Sequence, residues 1–294
     1  MYGLSALRHV LPGIALVMSG WVGAAPATSP QITIVDGEAT VVDGARRFTA
    51  TAGPRVGDHA IIETGARLAV LRVEWPDGTV ADFGPDTRAM LAPGPLSPGK
   101  RGPPAFYLLQ GWAKQSSLAG KPSAGQTSSA LQIDAFHGVA VGYLGRGGSF
   151  VFVESGNLVA TDRNHRGAVP VALKAGEVYT QDDTGRWAHA PRPTTQQLKG
   201  VPPGFRSPLP LQAERFAGSR IEPPPQPAPT YAELEPWLTA ERALRAGFPR
   251  RFATLARDPA FKKSLHDNLA AHPEWESVLH PERSDGSAAA PARR

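Results

Sequence analysis

The chain of 294 residues contains no cysteine. This absence excludes disulfide bonds, a thiol nucleophile, cysteine-based zinc sites and a lipidated N-terminal cysteine. A disulfide-rich extracellular domain is therefore a poor fit, and any chemistry must come from other side chains.

The sequence also lacks a long basic run. The net charge is +5 and the pI is about 9.7, but basic residues are no denser than the pairs Arg46-Arg47, Arg250-Arg251, Lys262-Lys263 and Arg293-Arg294. A solvated basic surface explains this distribution, with weak attraction to anionic envelope polymers as the alternative. No nucleic-acid motif is present. We therefore expect no nucleic-acid partner. After the N-terminal region, no apolar stretch is long enough to span a bilayer, so we do not expect an integral membrane protein.

Catalytic motifs are missing as well. The sequence has no His-Glu-x-x-His pair, no Gly-x-Ser-x-Gly elbow and no glycine-rich phosphate loop. His137 and His165 could meet Glu154 or Glu177 across a β barrel and hold a metal, but isolated surface histidines are the simpler interpretation. We therefore predict no catalytic residue, no metal, no cofactor and no enzymatic activity.

The N-terminus has the layout of a secretory signal. Arg8-His9 precedes an apolar run over residues 10–22, and small residues at 24–27 offer cleavage sites after Ala24 or Ala27. An uncleaved anchor or a buried core segment is the alternative. The pattern predicts a cleavable signal peptide over residues 1–27 and a periplasmic location.

Residues 57–91 show the clearest structural pattern. Between residues 69 and 75, apolar side chains alternate with Arg72 and Glu74, which is the two-residue period of a strand with one buried face. Asp77-Gly78 then predicts a tight hairpin turn, and a second turn follows at residues 84–87.

This stretch resembles the FecR domain. The family's Gly-Asp, Ile, Thr-Gly, aliphatic strand, Asp-Gly-Ser/Thr, Gly-Pro-Asn-Ser and final Leu correspond here to Gly57, Asp58, Ile61, Thr64, Gly65, Leu71, Asp77, Gly78, Thr79, Gly84, Pro85, Asp86, Thr87 and Leu91. Arg67-Leu68 replaces a small polar residue, and Asp86-Thr87 replaces Asn-Ser. The resemblance implies structural turn and core positions, without a catalytic role.

Further along the chain, a second β-rich block covers residues 131–180. We predict a mainly β protein in which a FecR-like β-sandwich or jelly-roll-like domain (28–190) precedes a small C-terminal α-helical region (230–282). Residues 191–229 form a predicted Pro-rich extended linker, and residues 283–294 a disordered tail. Thr230 with Glu233, and Asp258 with Pro259, predict helix starts.

Aromatic residues are the candidates for a partner surface. Trp187 is flanked by polar and glycine residues, whereas Trp237, Phe248 and Trp275 lie in the helical region, where a stripe of apolar residues predicts a packing face. Since the helices follow a Pro-rich arm, that stripe is also a candidate for contact with another protein.

The resemblance implies a link with signalling or envelope assembly. FecR itself is a membrane-spanning regulator whose cytoplasmic N-terminal segment acts on a sigma factor. Only residues 1–9 precede the apolar run here, so we do not expect direct sigma-factor control. The leading hypothesis is a non-catalytic periplasmic binding protein that senses, regulates or scaffolds an envelope protein or glycan. The alternatives are a glycan-binding or glycan-processing, metal-dependent enzyme, and a self-assembling β module.

Overall fold

A computed structural model describes residues 29–94, 103–146 and 148–281. Its strands are β1 (Gln31–Asp36), β2 (Ala39–Asp43), β3 (Arg46–Thr49), β4 (Ile61–Thr64), β5 (Val70–Glu74), β6 (Thr79–Phe83), β7 (Arg88–Leu91), β8 (Phe106–Ser117), β9 (Gln126–Thr127), β10 (Leu131–Ile133), β11 (His137–Leu144), β12 (Ser149–Asp162), β13 (Val171–Lys174), β14 (Val178–Gln181), β15 (Trp187–Ala190) and β16 (Pro225–Gln226). The helices are α1 (Thr195–Gly200), α2 (Tyr231–Leu238), α3 (Arg242–Arg245), α4 (Phe248–Arg251), α5 (Pro259–Asp267) and α6 (Glu276–Leu279).

The protein is mainly β with a small C-terminal helical region, which confirms the predicted fold class. Hydrogen bonds connect all sixteen strands into one network. The predicted signal peptide and tail lie outside the described residues. Within the described ranges, no helix combines the length and the apolar character that a membrane crossing requires.

Strand β8 joins the two layers of the N-terminal β region. Its first half pairs with β7 and its second half with β6, and Gly111, at φ 95°, lies between the two halves. One arm continues from β7 through β4 and β2 to β3, and the other from β6 through β5 to β1. Apolar side chains from both arms meet in one core, which includes Val41, Ile62, Leu71 and Phe106. This arrangement is sandwich-like.

The second β block is built around β12. This long strand pairs with β11 along one edge, with β14 and β13 at different points along its length, and with β10 at its end. Its own core contains Ile133, Val151, Leu158 and Leu173. Because β11 also pairs with β8, the two blocks are continuous.

The segment predicted as an extended linker departs from that prediction. Residues 191–229 contain α1, two short 3-10 turns and β16, which pairs with β3. Phe205 is fully buried against Val70 and Val141. We call this segment the strap, because it crosses the β region and ends on the β3 edge.

Two buried charges hold the strap in place. Arg72 forms a bidentate ion pair with Asp82, at 2.6 and 2.8 Å, and its third nitrogen donates to the carbonyl of Leu209 at 2.7 Å. The carboxylate of Glu74 accepts from the backbone N–H groups of Gln212 and Ala213, at 2.9 and 3.2 Å. The polar face of β5 is therefore covered by the strap and not by water, and its charges are compensated as buried charges must be.

The helical region packs directly on the β region. Its apolar side chains share one cluster with four β-region residues, Val42, Ile61, Met90 and Tyr107. Arg163 on the β side and Glu241 before α3 add a bidentate ion pair, at 2.7 and 2.8 Å. The helices are therefore part of one folded body with the strands.

Candidate functional site

Two turn segments of the FecR-like stretch, at residues 64–65 and 84–87, are joined by hydrogen bonds. The hydroxyl of Thr64 donates to the carbonyl of Gly84 at 2.6 Å and accepts from the backbone N–H of Thr87 at 2.8 Å. The buried hydroxyl of Thr87 accepts from the backbone N–H of Trp112 at 2.9 Å and lies 3.1 Å from the carbonyl of Pro85. These hydroxyls satisfy backbone groups at the bend of β8, which is a structural role.

The hairpin of the same stretch follows its sequence pattern. The carboxylate of Asp77 accepts from the backbone N–H of Thr79 at 2.8 Å, and Gly78 has φ 94°. The hydroxyl of Thr79 accepts from the backbone N–H of Ala124 at 2.8 Å. Elsewhere in the stretch, Asp58 is exposed and Ile61 is buried.

Three of the four aromatic residues proposed as a partner surface lie in the core. Trp237 and Trp275 have no exposed surface and Phe248 is 2% exposed. The prediction of a partner surface is wrong for these three, because the apolar stripe of the helices covers the strands of the same chain. Trp187 is half-buried and stacks on Tyr179, with ring centroids 5.2 Å apart.

The four side chains considered as metal ligands do not come together: His137 is exposed, and the other three belong to different ion pairs. His165 contacts Asp162 at 2.6 Å, Glu154 contacts Lys114 at 2.7 Å, and Glu177 contacts His189 at 3.3 Å. The backbone N–H of Lys174 is the main cause that lowers the pKa of Glu177. Over the described parts of the chain, no group of three or more His, Asp or Glu side chains could hold a metal ion.

A cleft of about 370 Å³ brings aromatic and polar side chains together where β8, β11, β12, β14 and α1 meet. We call it the aromatic cleft; its lining consists of Trp112, Tyr143, Gly148, Phe150, Thr180, Gln181, Asp183, Thr194, Gln196, Gln197 and Gly200. Its volume lies in the lower part of the range of about 300–1,000 Å³ for small-ligand sites.

One wall of the cleft is a cluster of three rings. Trp112 and Tyr143 are half-buried, with ring centroids 4.6 Å apart and planes inclined at 38°. Phe150 is buried behind them, edge-on to Trp112 at 5.7 Å. Their placement follows the strand registers, because Tyr143 of β11 pairs with both Trp112 of β8 and Phe150 of β12.

A second wall of the cleft comes from α1 and the residue that caps it. Thr194 and Gln197 form a capping box, in which the Gln197 side chain accepts from the backbone N–H of Thr194 at 2.8 Å. The amide of Gln197 also donates to the hydroxyl of Thr180 at 3.1 Å, which ties α1 to β14. At the end of α1, Gly200 lies so close to Trp112 that an added Cβ would be 3.5 Å from the indole ring. Both walls are therefore fixed by contacts among the lining residues themselves.

Several polar groups of the cleft have no partner in the described parts of the chain. The side chains of Asp183 and Gln196 are exposed and make no hydrogen bond, and the indole N–H of Trp112 makes none. Gln181 uses its amide nitrogen on the carbonyl of Gly185 at 3.0 Å, which leaves its oxygen free. The cleft thus combines exposed ring surface with unused donors and acceptors.

Sequence reasoning missed the aromatic cleft. Trp112 lies inside β8, and nothing local in the sequence relates it to Gln196, which lies in the segment predicted as a linker. A Thr-x-x-Gln pattern at residues 194–197 is a capping-box signal, and it was the available clue that this segment contains a helix.

A second groove, of about 610 Å³, is basic. Four guanidinium groups border it, those of Arg46, Arg47, Arg55 and Arg220. The protein's own carboxylates already pair with two of them, because Glu233 contacts Arg47 at 2.5 Å and Glu222 contacts Arg220 at 3.2 Å. The aromatic cleft, with unpaired groups of mixed character, is the stronger candidate binding site.

Comparisons with known proteins give distant similarity in structure alone. No protein-family model matches the chain, and no curated protein matches it. Among solved structures, two crystal structures of a "putative anti-sigma factor" from Parabacteroides distasonis are similar, with 15% and 14% sequence identity and a TM-score of 0.36 each. Each similarity covers 47% of this chain and 62% of the other, so less than two thirds of the similar protein is spanned.

Proposed function

We propose that this chain is a non-catalytic, FecR-like binding protein of the bacterial cell envelope that senses or scaffolds an envelope component held in the aromatic cleft. The observation that carries the proposal is the cleft itself, whose lining combines two half-exposed rings with unpaired polar side chains. A concave site lined by aromatic residues and a few convergent polar groups is the usual form of a ligand site.

The composition of the cleft favours binding over catalysis. Asp183 is the one carboxylate among the described lining residues. Glycoside hydrolysis ordinarily uses two carboxyl groups that flank the scissile bond. The cleft therefore supports a binding role better than the glycan-processing alternative.

The location and the regulatory character of the proposal rest on the sequence. The apolar run at residues 10–22 and the small residues at 24–27 support export to the periplasm. The turn pattern over residues 57–91 supports membership of the FecR-like group, in which a sensing, regulatory or scaffolding role is expected. The periplasmic location and the FecR-like role are therefore both parts of the proposed function.

Capture of partners from envelope extract tests the proposal. The bait is the chain without residues 1–27, the predicted signal peptide. It keeps the helical region, because removing that region would expose the side chains that it shares with β2, β4, β7 and β8. Asp183→Lys places a cation in the cleft, and Asp58→Lys makes the same change at an exposed position outside it. We expect a specific component that is retained by the parent chain and by Asp58→Lys but lost with Asp183→Lys.

Two outcomes would count against the proposal. A component retained equally by all three baits would place recognition away from the cleft. If none of the baits retains a specific component, the binding role itself would be rejected.

A further inference from the structure

The aromatic cleft has two kinds of surface, aromatic and polar. The exposed parts of the Trp112 and Tyr143 rings offer apolar area, and aromatic rings carry a negative potential on the face that attracts polarised C–H groups. In the same lining, Asp183 and Gln196 offer polar atoms that have no partner in the described parts of the chain. A suitable ligand must therefore be apolar on one side and rich in hydrogen-bonding groups around its edge.

A pyranose ring meets both requirements, and we infer that the aromatic cleft binds a neutral saccharide unit. This inference rests on the proposed function and names its ligand class. The C–H face of the sugar would lie on Trp112 and Tyr143, and its hydroxyl groups would reach the polar side chains.

The inventory of free polar groups fits hydroxyl groups, which both donate and accept. Asp183 and the oxygen of Gln181 can only accept, the indole N–H of Trp112 can only donate, and the amide of Gln196 can do both. A ligand that could only accept, such as a phosphate, would leave the two acceptor-only groups, Asp183 and the oxygen of Gln181, unpaired.

Charge selects neutral ligands over anionic ones. None of the lining residues named above is Lys or Arg, whereas Asp183 contributes a negative charge. An acidic sugar would bring a second carboxylate near Asp183 without a cation between the two. The cleft therefore discriminates against uronic acids by repulsion.

The cleft is also preorganised for a rigid ligand. The capping box of α1, the bond from Gln197 to Thr180 and the contact of Gly200 with Trp112 fix both walls. Little ordering of the protein is needed on binding, and this lowers the entropic cost.

Isothermal titration calorimetry with three tetrasaccharides tests the inference on the chain without residues 1–27. Chitotetraose and maltotetraose are neutral and differ in their N-acetyl groups, and tetragalacturonate is anionic. We expect at least one neutral tetrasaccharide to bind and tetragalacturonate to bind at least about 10-fold more weakly, the effect of an unfavourable charge contact of moderate strength.

Point variants locate the binding site. Asp183→Asn and Gln196→Ala should each weaken binding of the neutral sugar by about 5- to 10-fold, as expected for one lost hydrogen bond. Asp58→Asn, outside the cleft, should leave affinity unchanged. Because Asp183 and Gln196 are exposed, neither variant should disturb folding, and a thermal melt of each variant verifies this point.

The inference fails if neither neutral sugar binds, if tetragalacturonate binds as tightly as they do, or if the cleft variants match Asp58→Asn. The capture experiment separates this failure from failure of the proposed function. If an envelope component is still lost with Asp183→Lys while both neutral sugars show no heat of binding, the cleft is a binding site for something other than a saccharide. If capture and titration both give nothing, both proposals are rejected.

Discussion

The indole N–H of Trp237, in α2, donates a hydrogen bond of 3.2 Å to the carboxylate of Glu63, in β4, across 174 positions of the chain. The same carboxylate contacts Arg88 at 3.3 Å. A fully buried aromatic side chain of the helical region is thereby anchored on the sheet by a charged acceptor.

The contribution of the Trp237–Glu63 hydrogen bond to stability should be measurable by comparison with Trp275, a second buried tryptophan. Trp237→Phe and Trp275→Phe both replace a fully buried indole, but the N–H of Trp275 has no hydrogen-bond partner among the residues that the structure describes. We expect Trp237→Phe to reduce the free energy of unfolding by about 1.5 kcal/mol more than Trp275→Phe, the low end for a bond to a charged group. Urea denaturation followed by circular dichroism measures the difference. Equal losses would show that the bond adds nothing to stability.

The ion pair between Arg163 and Glu241 should also stabilise the contact between helices and strands. Its side chains are only 14% and 23% exposed, and its geometry is bidentate. We expect a double-mutant cycle with Arg163→Met and Glu241→Gln to give a coupling energy of about 1–2 kcal/mol, above the usual range for exposed pairs. A cycle on Lys263 and Asp267, which are 77% and 49% exposed, serves as the control and should give less than about 0.5 kcal/mol.

Acidification should destabilise the helical region through His272. Burial is the main cause that lowers the pKa of His272 below its ordinary value, with Arg245 acting in the same direction and Glu274 opposing it. Nε2 of His272 lies 3.1 Å from the hydroxyl of Tyr231. Because the unfolded chain takes up the proton first, the stabilising contribution is complete above about pH 6.5 and is lost as the pH falls towards the lower folded-state pKa.

Urea unfolding at pH 8 and at pH 5.5 measures this effect. The difference in stability between the two pH values should shrink in His272→Gln and should stay as in the parent chain in His137→Gln, since His137 is exposed. A pH dependence that is unchanged in His272→Gln would contradict the prediction.

Gly111, at the bend of β8, should not tolerate a side chain. It has φ 95°, and an added Cβ would lie 2.4 Å from the Cα of Thr87, where backbone must move to make room. Gly120 is the control, because it has φ 79° and open space around it. We expect Gly120→Ala to cost about 1–2 kcal/mol, from the left-handed backbone alone, and Gly111→Ala to cost at least about 2 kcal/mol more. Thermal unfolding of the two variants tests the ranking, and similar melting temperatures would refute it.

Features encoded locally were predictable from the sequence. The Asp77-Gly78 hairpin forms, Thr230 and Glu233 make a capping box, and Asp258 caps α5 by accepting from the backbone N–H of Phe261 at 2.9 Å. Each of these depends on residues within three positions of one another. Such patterns can be recognised in the sequence, because a cap or a turn forms its hydrogen bonds between residues of the same short segment.

Features that depend on distant segments were not predictable. The stripe with Trp237 and Phe248 has the same helical period whether it covers another protein or a sheet of its own chain. The Pro-rich composition of the strap suggests an extended linker, yet the buried charges of Arg72 and Glu74 bind its backbone. The aromatic cleft was not predictable for the same reason, since Trp112 and Gln196 line one cleft only in the folded chain.

The contact of the last helices with the first strands has a consequence for how the chain is made. The guanidinium of Arg251 donates to the carbonyl of Val42 at 3.4 Å, across 209 positions. At a synthesis rate of roughly 5–20 residues per second, about 10–40 s separate the emergence of these two partners. Until both segments have been made and brought together, the apolar side of β2 that the helices later cover is open to other chains, so we expect a folding helper that shields unfolded β strands to raise the yield of this protein.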